Sequence, residues 1–93
     1  MASRRRLRTI IHEPRVTREL MALEPMLDRA EEFVAGIEWV LARDPCAGTR
    51  VLSSDVWALA ATFADGKSVI VYYAASVHTV SLLSVELYTP PPL

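Results

Sequence analysis

The sequence predicts an α+β domain in which a helical hairpin packs on one face of a small antiparallel sheet. Three successive segments rich in β-branched and aromatic residues, 56–63, 67–73 and 79–88, predict a three-stranded meander. Asp65-Gly66 joins the first two segments, and glycine accepts the positive φ that a two-residue hairpin turn needs. Apolar residues spaced three and four apart in 25–43 predict a helix that covers this sheet.

The amino-terminal half supplies the remaining elements. Alternating polarity in 7–12 predicts a first strand on one sheet edge, and Pro14 predicts a helix over 14–23 because proline favours the first helical turn. Pro25 likewise predicts the start of a second helix that ends at Arg43, before a loop over 47–55. The predicted order is β-α-α-β-β-β. The second helix has an apolar stripe that consists of Leu27, Ala30, Phe33, Val34, Ile37, Val40 and Leu41.

Length and composition predict one domain, 1–93, with frayed tails at 1–6 and 89–93. The chain is 52% hydrophobic with a mean hydropathy of +0.23, which fits either a well-filled core or an apolar surface that a partner covers. The most apolar run, 69–75, is far shorter than the roughly 20 residues of a membrane-spanning helix. Cys46 is the single cysteine, so we expect no internal disulfide and a cytoplasmic location.

Charge is unevenly distributed along the chain. Arg4, Arg5, Arg6 and Arg8 hold four of the ten basic residues, which leaves six basic against eleven acidic residues in 9–93, a net charge of −5. A body this acidic disfavours contact with nucleic acid. The arginine cluster fits a contact with nucleic acid or an acidic partner, and equally a solvated terminus.

The order of these features resembles the RelE/ParE toxin superfamily of type II toxin–antitoxin systems, over residues 7–88. The shared features are a strand-Pro-helix entry, a helical hairpin closed by Arg43-Asp44-Pro45, Val56-Trp57, the aspartate-glycine turn, Val69-Ile70-Val71-Tyr72 and the last strand 80–88. Members pair with an antitoxin whose extended segment or helix covers their apolar and active surfaces. Some cut messenger RNA on the ribosome, and others poison DNA gyrase.

The resemblance to the ribonuclease branch is incomplete at the positions that carry its chemistry. Those enzymes surround the scissile phosphate with several basic residues, whereas here Lys67 and Tyr88 are the matching positions. Arg50 or His78 are candidates to assist them. An anionic phosphorane needs several cationic donors close by, and Glu86 would repel it. The resemblance therefore implies at most an endoribonuclease with a degenerate catalytic set.

Other chemistry is weakly indicated by the residue pattern. His12 and His78 are the two imidazoles, each able to act as a general base or to serve an ordinary surface role. With Glu13 and Cys46 they lack the close spacing of a metal site, and we expect neither a metal nor a cofactor. Four aromatic side chains fit base stacking or burial in the core or an interface. They are Trp57, Tyr72, Tyr73 and Tyr88.

Three functions follow as hypotheses. The leading one is a toxin-like protein that binds a macromolecular target and is neutralised by an antitoxin-like partner. The second is a ribosome-dependent messenger RNA endonuclease. The third is a non-toxic homodimeric scaffold with the same fold.

Overall fold

Five strands form one sheet in the order β1-β5-β4-β3-β2, accompanied by two helices, in the computed structural model of the protein. The structure describes residues 7–27, 29–62 and 66–88. The predicted α+β class is confirmed, while the predicted frayed tails, Phe63 and Asp65 lie outside the described residues. The elements are β1 (Thr9–His12), α1 (Pro14–Leu23), a short 3-10 helix (Glu24–Met26), α2 (Ala30–Arg43), β2 (Thr49–Arg50), β3 (Trp57–Thr62), β4 (Ser68–Ala75) and β5 (Thr79–Tyr88).

The predicted meander is present as β3, β4 and β5, which pair antiparallel in succession. Gly66, before β4, has the predicted left-handed conformation, with a φ of +90°. Thr62 pairs with Ser68, a register that differs by one residue from that of the predicted two-residue turn. A bulge interrupts the pairing of β4 with β5, because Leu83 is an extra residue between the positions that face Tyr73 and Tyr72. β1 lies on the edge of the sheet and is parallel to β5, so the sheet is mixed and the prediction of a wholly antiparallel sheet was wrong.

The start of the second helix was predicted incorrectly. α1 has the predicted bounds and begins at Pro14, but Pro25 lies in the 3-10 helix and α2 begins only at Ala30. Between them Leu27 is extended, with φ −129° and ψ 125°, and its side chain is buried. Arg29 then adopts a left-handed φ of 57°. Burial of Leu27 in the core therefore overrides the helical periodicity of this segment.

The predicted loop over 47–55 contains a strand that the predicted element order omits. β2 pairs antiparallel with the start of β3, so that Thr49 faces Ala58 and Arg50 faces Trp57. A tight turn between β2 and β3 includes Leu52 at a left-handed φ of 51°. Two residues are too few to show an alternating pattern in the sequence.

The core lies between the helices and one face of the sheet. Of the predicted α2 stripe, Leu27, Ala30, Ile37 and Leu41 are buried, whereas Val40 is exposed and Val34 is half-buried. The prediction that Val34 packs on the sheet was thus wrong, because Val34 faces an open groove beside α1. Val40, at the margin of the stripe, faces an open groove beside β3. The buried residues outside this stripe are Val16, Leu23, Val69, Val71, Tyr73, Val80, Leu82 and Val85. No helix in the described part of the chain is long and apolar enough to cross a membrane.

Tyr73 joins the end of α2 to the sheet. Its side chain is fully buried, and its ring stacks on Trp57 with centroids 6.5 Å apart. The hydroxyl donates a hydrogen bond to the carbonyl of Pro45 at 2.7 Å and accepts one from the Gly48 N–H at 3.1 Å. Burial raises the pKa of this phenol above its ordinary value of 10.0.

Ionisation of Tyr73 should therefore lower the stability of the protein in alkaline solution. The folded-state pKa of Tyr73 exceeds the unfolded value. Its contribution to the free energy of unfolding is therefore complete below about pH 10 and is lost as the pH rises through the folded-state pKa. Urea unfolding of wild type and Tyr73→Phe between about pH 8 and 11 measures this. We expect a steeper alkaline loss in wild type. Equal pH dependence of the two proteins would contradict the placement of this phenol.

Candidate functional site

The structure places Lys67 and Tyr88 near one another along the strands but on opposite faces of the sheet. Ser68, the neighbour of Lys67, pairs with Tyr88. The Lys67 ammonium donates to the carbonyl of Met26 at 3.3 Å, on the side that the helices cover. Tyr88 faces the uncovered side and is 48% exposed. The sheet therefore separates the two side chains that the family resemblance would assign to catalysis.

His78 and Arg50 lie at other places in the fold. His78 is exposed in the turn between β4 and β5, at the opposite end of the ten-residue β5 from Tyr88, about 30 Å away along the strand. Arg50 lies in β2, where its guanidinium contacts the Asp55 carboxylate at 3.7 Å and donates to the Ser54 carbonyl at 2.7 Å. The four candidate residues thus do not converge on one position where a phosphate could sit.

His12 has a structural contact that its sequence position did not suggest. Its Nε2 atom contacts a carboxylate oxygen of Glu38, which links the end of β1 to α2. Cys46 is exposed, and its backbone N–H donates to the Asp44 carboxylate at 3.1 Å. Within the ranges the structure describes, no three side chains of the metal-binding types form a cluster.

Glu19 of α1 satisfies a free edge of β5, a role for which the sequence gives no signal. The β1 pairing with β5 ends at Leu82, and no strand among the described residues lies beside the next part of that edge. There the Glu19 carboxylate accepts hydrogen bonds from the Val85 N–H at 3.0 Å and from the Ser84 hydroxyl at 3.0 Å. Arg15 lies 3.6 Å from the same carboxylate. The Glu19 carboxylate of α1 therefore accepts hydrogen bonds that a neighbouring strand would otherwise accept, and it protects this edge.

The four aromatic residues named from the sequence divide between the core face and the uncovered face of the sheet. Tyr73 is fully buried and cannot stack on a base. Trp57 packs against the core but is only partly buried. Tyr72 lies on the uncovered face and donates to the Glu86 carboxylate at 3.2 Å. Partial burial and this carboxylate raise the pKa of Tyr72. The negative charge of Glu86 beside Tyr72 disfavours a phosphate backbone on this face.

Two apolar grooves flank α2. The first, which we call the helix groove, lies between α1 and α2 and has Leu20, Ala30, Val34 and Ala35 as its apolar part, with carboxylates around it. The second, the strand groove, lies between α2 and β3. Its apolar lining consists of Phe33, Gly36, Ile37, Val40, Leu59, Ala60 and Ala61.

The strand groove adjoins an unpaired length of β3. β2 pairs with β3 as far as Ala58, and the Val51 N–H donates to the Val56 carbonyl at 2.8 Å on the same edge. Because backbone groups alternate in direction along an antiparallel strand, those of Ala60 and Thr62 also face this edge. No strand in the described part of the chain pairs with them. The edge is therefore open to another extended segment.

Comparisons of the chain with protein-family models, with curated proteins and with solved structures found no match.

Proposed function

We propose that the chain is a toxin-like protein of the RelE/ParE type that acts by binding a macromolecular target and is neutralised by an antitoxin-like protein. The observation that carries the proposal is the pair of apolar grooves on the two sides of α2. Exposed apolar surface of this kind marks protein-binding sites. We further propose a cytoplasmic location, where either the ribosome or gyrase is available as a target.

The proposed family also accounts for the order of the elements. The family's β-α-α-β-β-β arrangement, with a helical hairpin on one sheet face, corresponds here to β1, the two helices and the meander β3–β5. β2 is then a short addition at the far edge. The resemblance in sequence features over 7–88 supports this correspondence, as does the position of both helices over the core face.

Ribonuclease activity is weak or absent in this proposal. Lys67 is turned toward the helices, Arg50 is paired with Asp55, and His78 lies at the far end of β5. An endonuclease needs cationic groups gathered around one phosphate, with acid and base within hydrogen-bond distance of the reacting oxygens. The messenger RNA endonuclease therefore remains the less favoured alternative.

A homodimeric scaffold is the second candidate, and the open edge of β3 favours it. The segment 59–62 has no charged side chain, and charged or proline residues are the usual means by which proteins protect an edge. Two copies could pair through this edge about a two-fold axis. Such a protein would associate with itself without affecting a cellular target.

Induced expression in a bacterial host tests the proposed function. We expect growth arrest with messenger RNA left intact, because the chain binds a target but lacks an assembled cleavage site. Val34→Lys and Val40→Lys place a charge in the helix groove and the strand groove respectively, and at least one should relieve the arrest. Ala22→Lys, on the exposed side of α1 away from the helix groove, is the matched control and should not.

Other outcomes of this experiment separate the alternatives. Growth arrest accompanied by cleaved messages would contradict the proposal and favour the endonuclease. Normal growth at matched protein levels, with a dimer in sedimentation, would favour the scaffold. Protein levels are compared by immunoblot, so that a poorly expressed variant is not mistaken for an inactive one.

A further inference from the structure

The helix groove has a regular arrangement of side chains. On α2 its lining residues occupy positions 30, 31, 34, 35 and 38, which form one helical stripe. On the other side lie Leu20 of α1 and, one turn on, Glu24. The apolar residues on α2 are small, so another backbone can approach closely.

Three carboxylates surround this apolar stripe. Glu24, Glu31 and Glu38 all line the groove, and Glu38 contacts His12. Arg29, two residues before Glu31, faces Glu32 instead, and Arg43, five residues after Glu38, donates to the Trp39 carbonyl. No Lys or Arg among the described residues lines the helix groove. The groove is thus apolar along its centre and negative at its rim.

The walls favour a helix over an extended strand as the occupant. Both walls are α-helices, whose backbone groups are already paired within each helix. An extended segment would bring unpaired N–H and C=O groups against apolar side chains, which is unfavourable. A third helix satisfies its own backbone and can pack its side-chain ridges into the groove.

We propose that the helix groove binds an amphipathic helix of a partner protein that carries Lys or Arg beside its apolar stripe. Apolar side chains of this helix would contact Val34 and Ala35, and its cations would face Glu24, Glu31 and Glu38. Glu31 and Glu38 are about 10.5 Å apart along the axis, so two turns of the partner helix span the contact. Nucleic acids and acidic helices are disfavoured here by charge.

This inference deepens the proposed function by stating the chemistry of the partner segment, and it rests on that function only for the partner's biological role. The test uses a synthetic helical peptide of about 14 residues with Leu at i, i+3, i+4 and i+7 and Lys on both flanks. A second peptide has Glu in place of every Lys. A third has the same composition as the first, scrambled so that no apolar stripe forms.

Fluorescence anisotropy at about 0.15 M salt measures binding of each peptide to the full chain. We expect the cationic peptide to bind at least about tenfold more tightly than the acidic or the scrambled peptide, and to weaken at high salt. Glu31→Lys should lower its affinity about tenfold, and Glu31→Gln less.

Glu32→Lys is the matched control. It makes the same charge change one residue further along α2, but Glu32 lines the strand groove rather than the helix groove. We expect it to change the affinity less than about twofold at this ionic strength. Circular dichroism melts verify that both variants fold.

Equal binding of the cationic and acidic peptides, or an equal loss with Glu31→Lys and Glu32→Lys, would overturn the inference, as would binding of the scrambled peptide. The failure of the proposed function is seen separately in the growth assay. Specific peptide binding without growth arrest would keep the groove assignment and remove the toxin role. Growth arrest without peptide binding would keep the toxin role and remove the groove assignment.

Discussion

Replacing Ile37 by Ala should lower the free energy of unfolding by about 2–5 kcal/mol. Ile37 is 6% exposed and belongs to the cluster that joins α2 to the sheet. The substitution loses the transfer free energy of the removed methyl and methylene groups and leaves a cavity between helix and strands. In a chain of this length the melting temperature should fall by at least about 8 °C.

Val40→Ala provides the comparison within the same helix. Val40 is 37% exposed, so its truncation should cost much less than that of Ile37. Thermal unfolding followed by circular dichroism measures both variants. Equal melting temperatures for wild type and Ile37→Ala would mean that α2 does not pack through this residue.

Gly48→Ala should destabilise the protein by about 1–3 kcal/mol through overpacking. A Cβ atom at Gly48 would lie 2.5 Å from the carbonyl oxygen of Ala58 and 2.9 Å from the Tyr73 hydroxyl. The first of these is a backbone atom held in β3, so the crowding cannot be relieved by turning a side chain. The substitution must shift β2 or break the hydrogen bond from the Gly48 N–H to Tyr73.

Gly36→Ala is the same chemical change, but it should raise the free energy of unfolding instead of lowering it. Gly36 lies inside α2, and an added Cβ there meets nothing within 4 Å. Alanine in a helix interior is more favourable than glycine by about 0.5–1 kcal/mol. Urea unfolding should therefore rank Gly36→Ala above wild type and Gly48→Ala below it. The reverse order would contradict the close approach of residue 48 to β3.

The sequence was most informative where pattern and local chemistry agree. The meander follows from β-branched residues in alternation, and Gly66 has the positive φ that its turn position demands. α1 begins at Pro14 because proline fixes φ where a first helical turn needs it. In these segments the local preference and the tertiary fold favour the same conformation.

Tertiary contacts explain the features that could not be predicted. Leu27 is extended because its side chain reaches the core, and nothing in its neighbours along the chain indicates this. β2 is too short to produce a periodic pattern. Glu19 caps the edge of β5 across more than sixty residues of sequence, a contact that a single sequence does not reveal.

The geometry of the candidate site could not be predicted for the same reason. The family resemblance paired Lys67 with Tyr88 by their order along the chain, and register does place them close together. Whether two strand residues share a face, however, depends on a register shift of a single residue. Here the Lys67 side chain reaches Met26 on the helix side while Tyr88 faces the other way.

Cleavage of messenger RNA in a translating extract tests most directly the claim that the chain acts by binding rather than by catalysis. Wild type, Lys67→Ala and Tyr88→Phe are added at equal concentrations, and the message ends are mapped. We predict no cleavage above background for any of the three proteins. Strong cleavage by wild type that either substitution abolishes would contradict the account and identify the chain as an endoribonuclease.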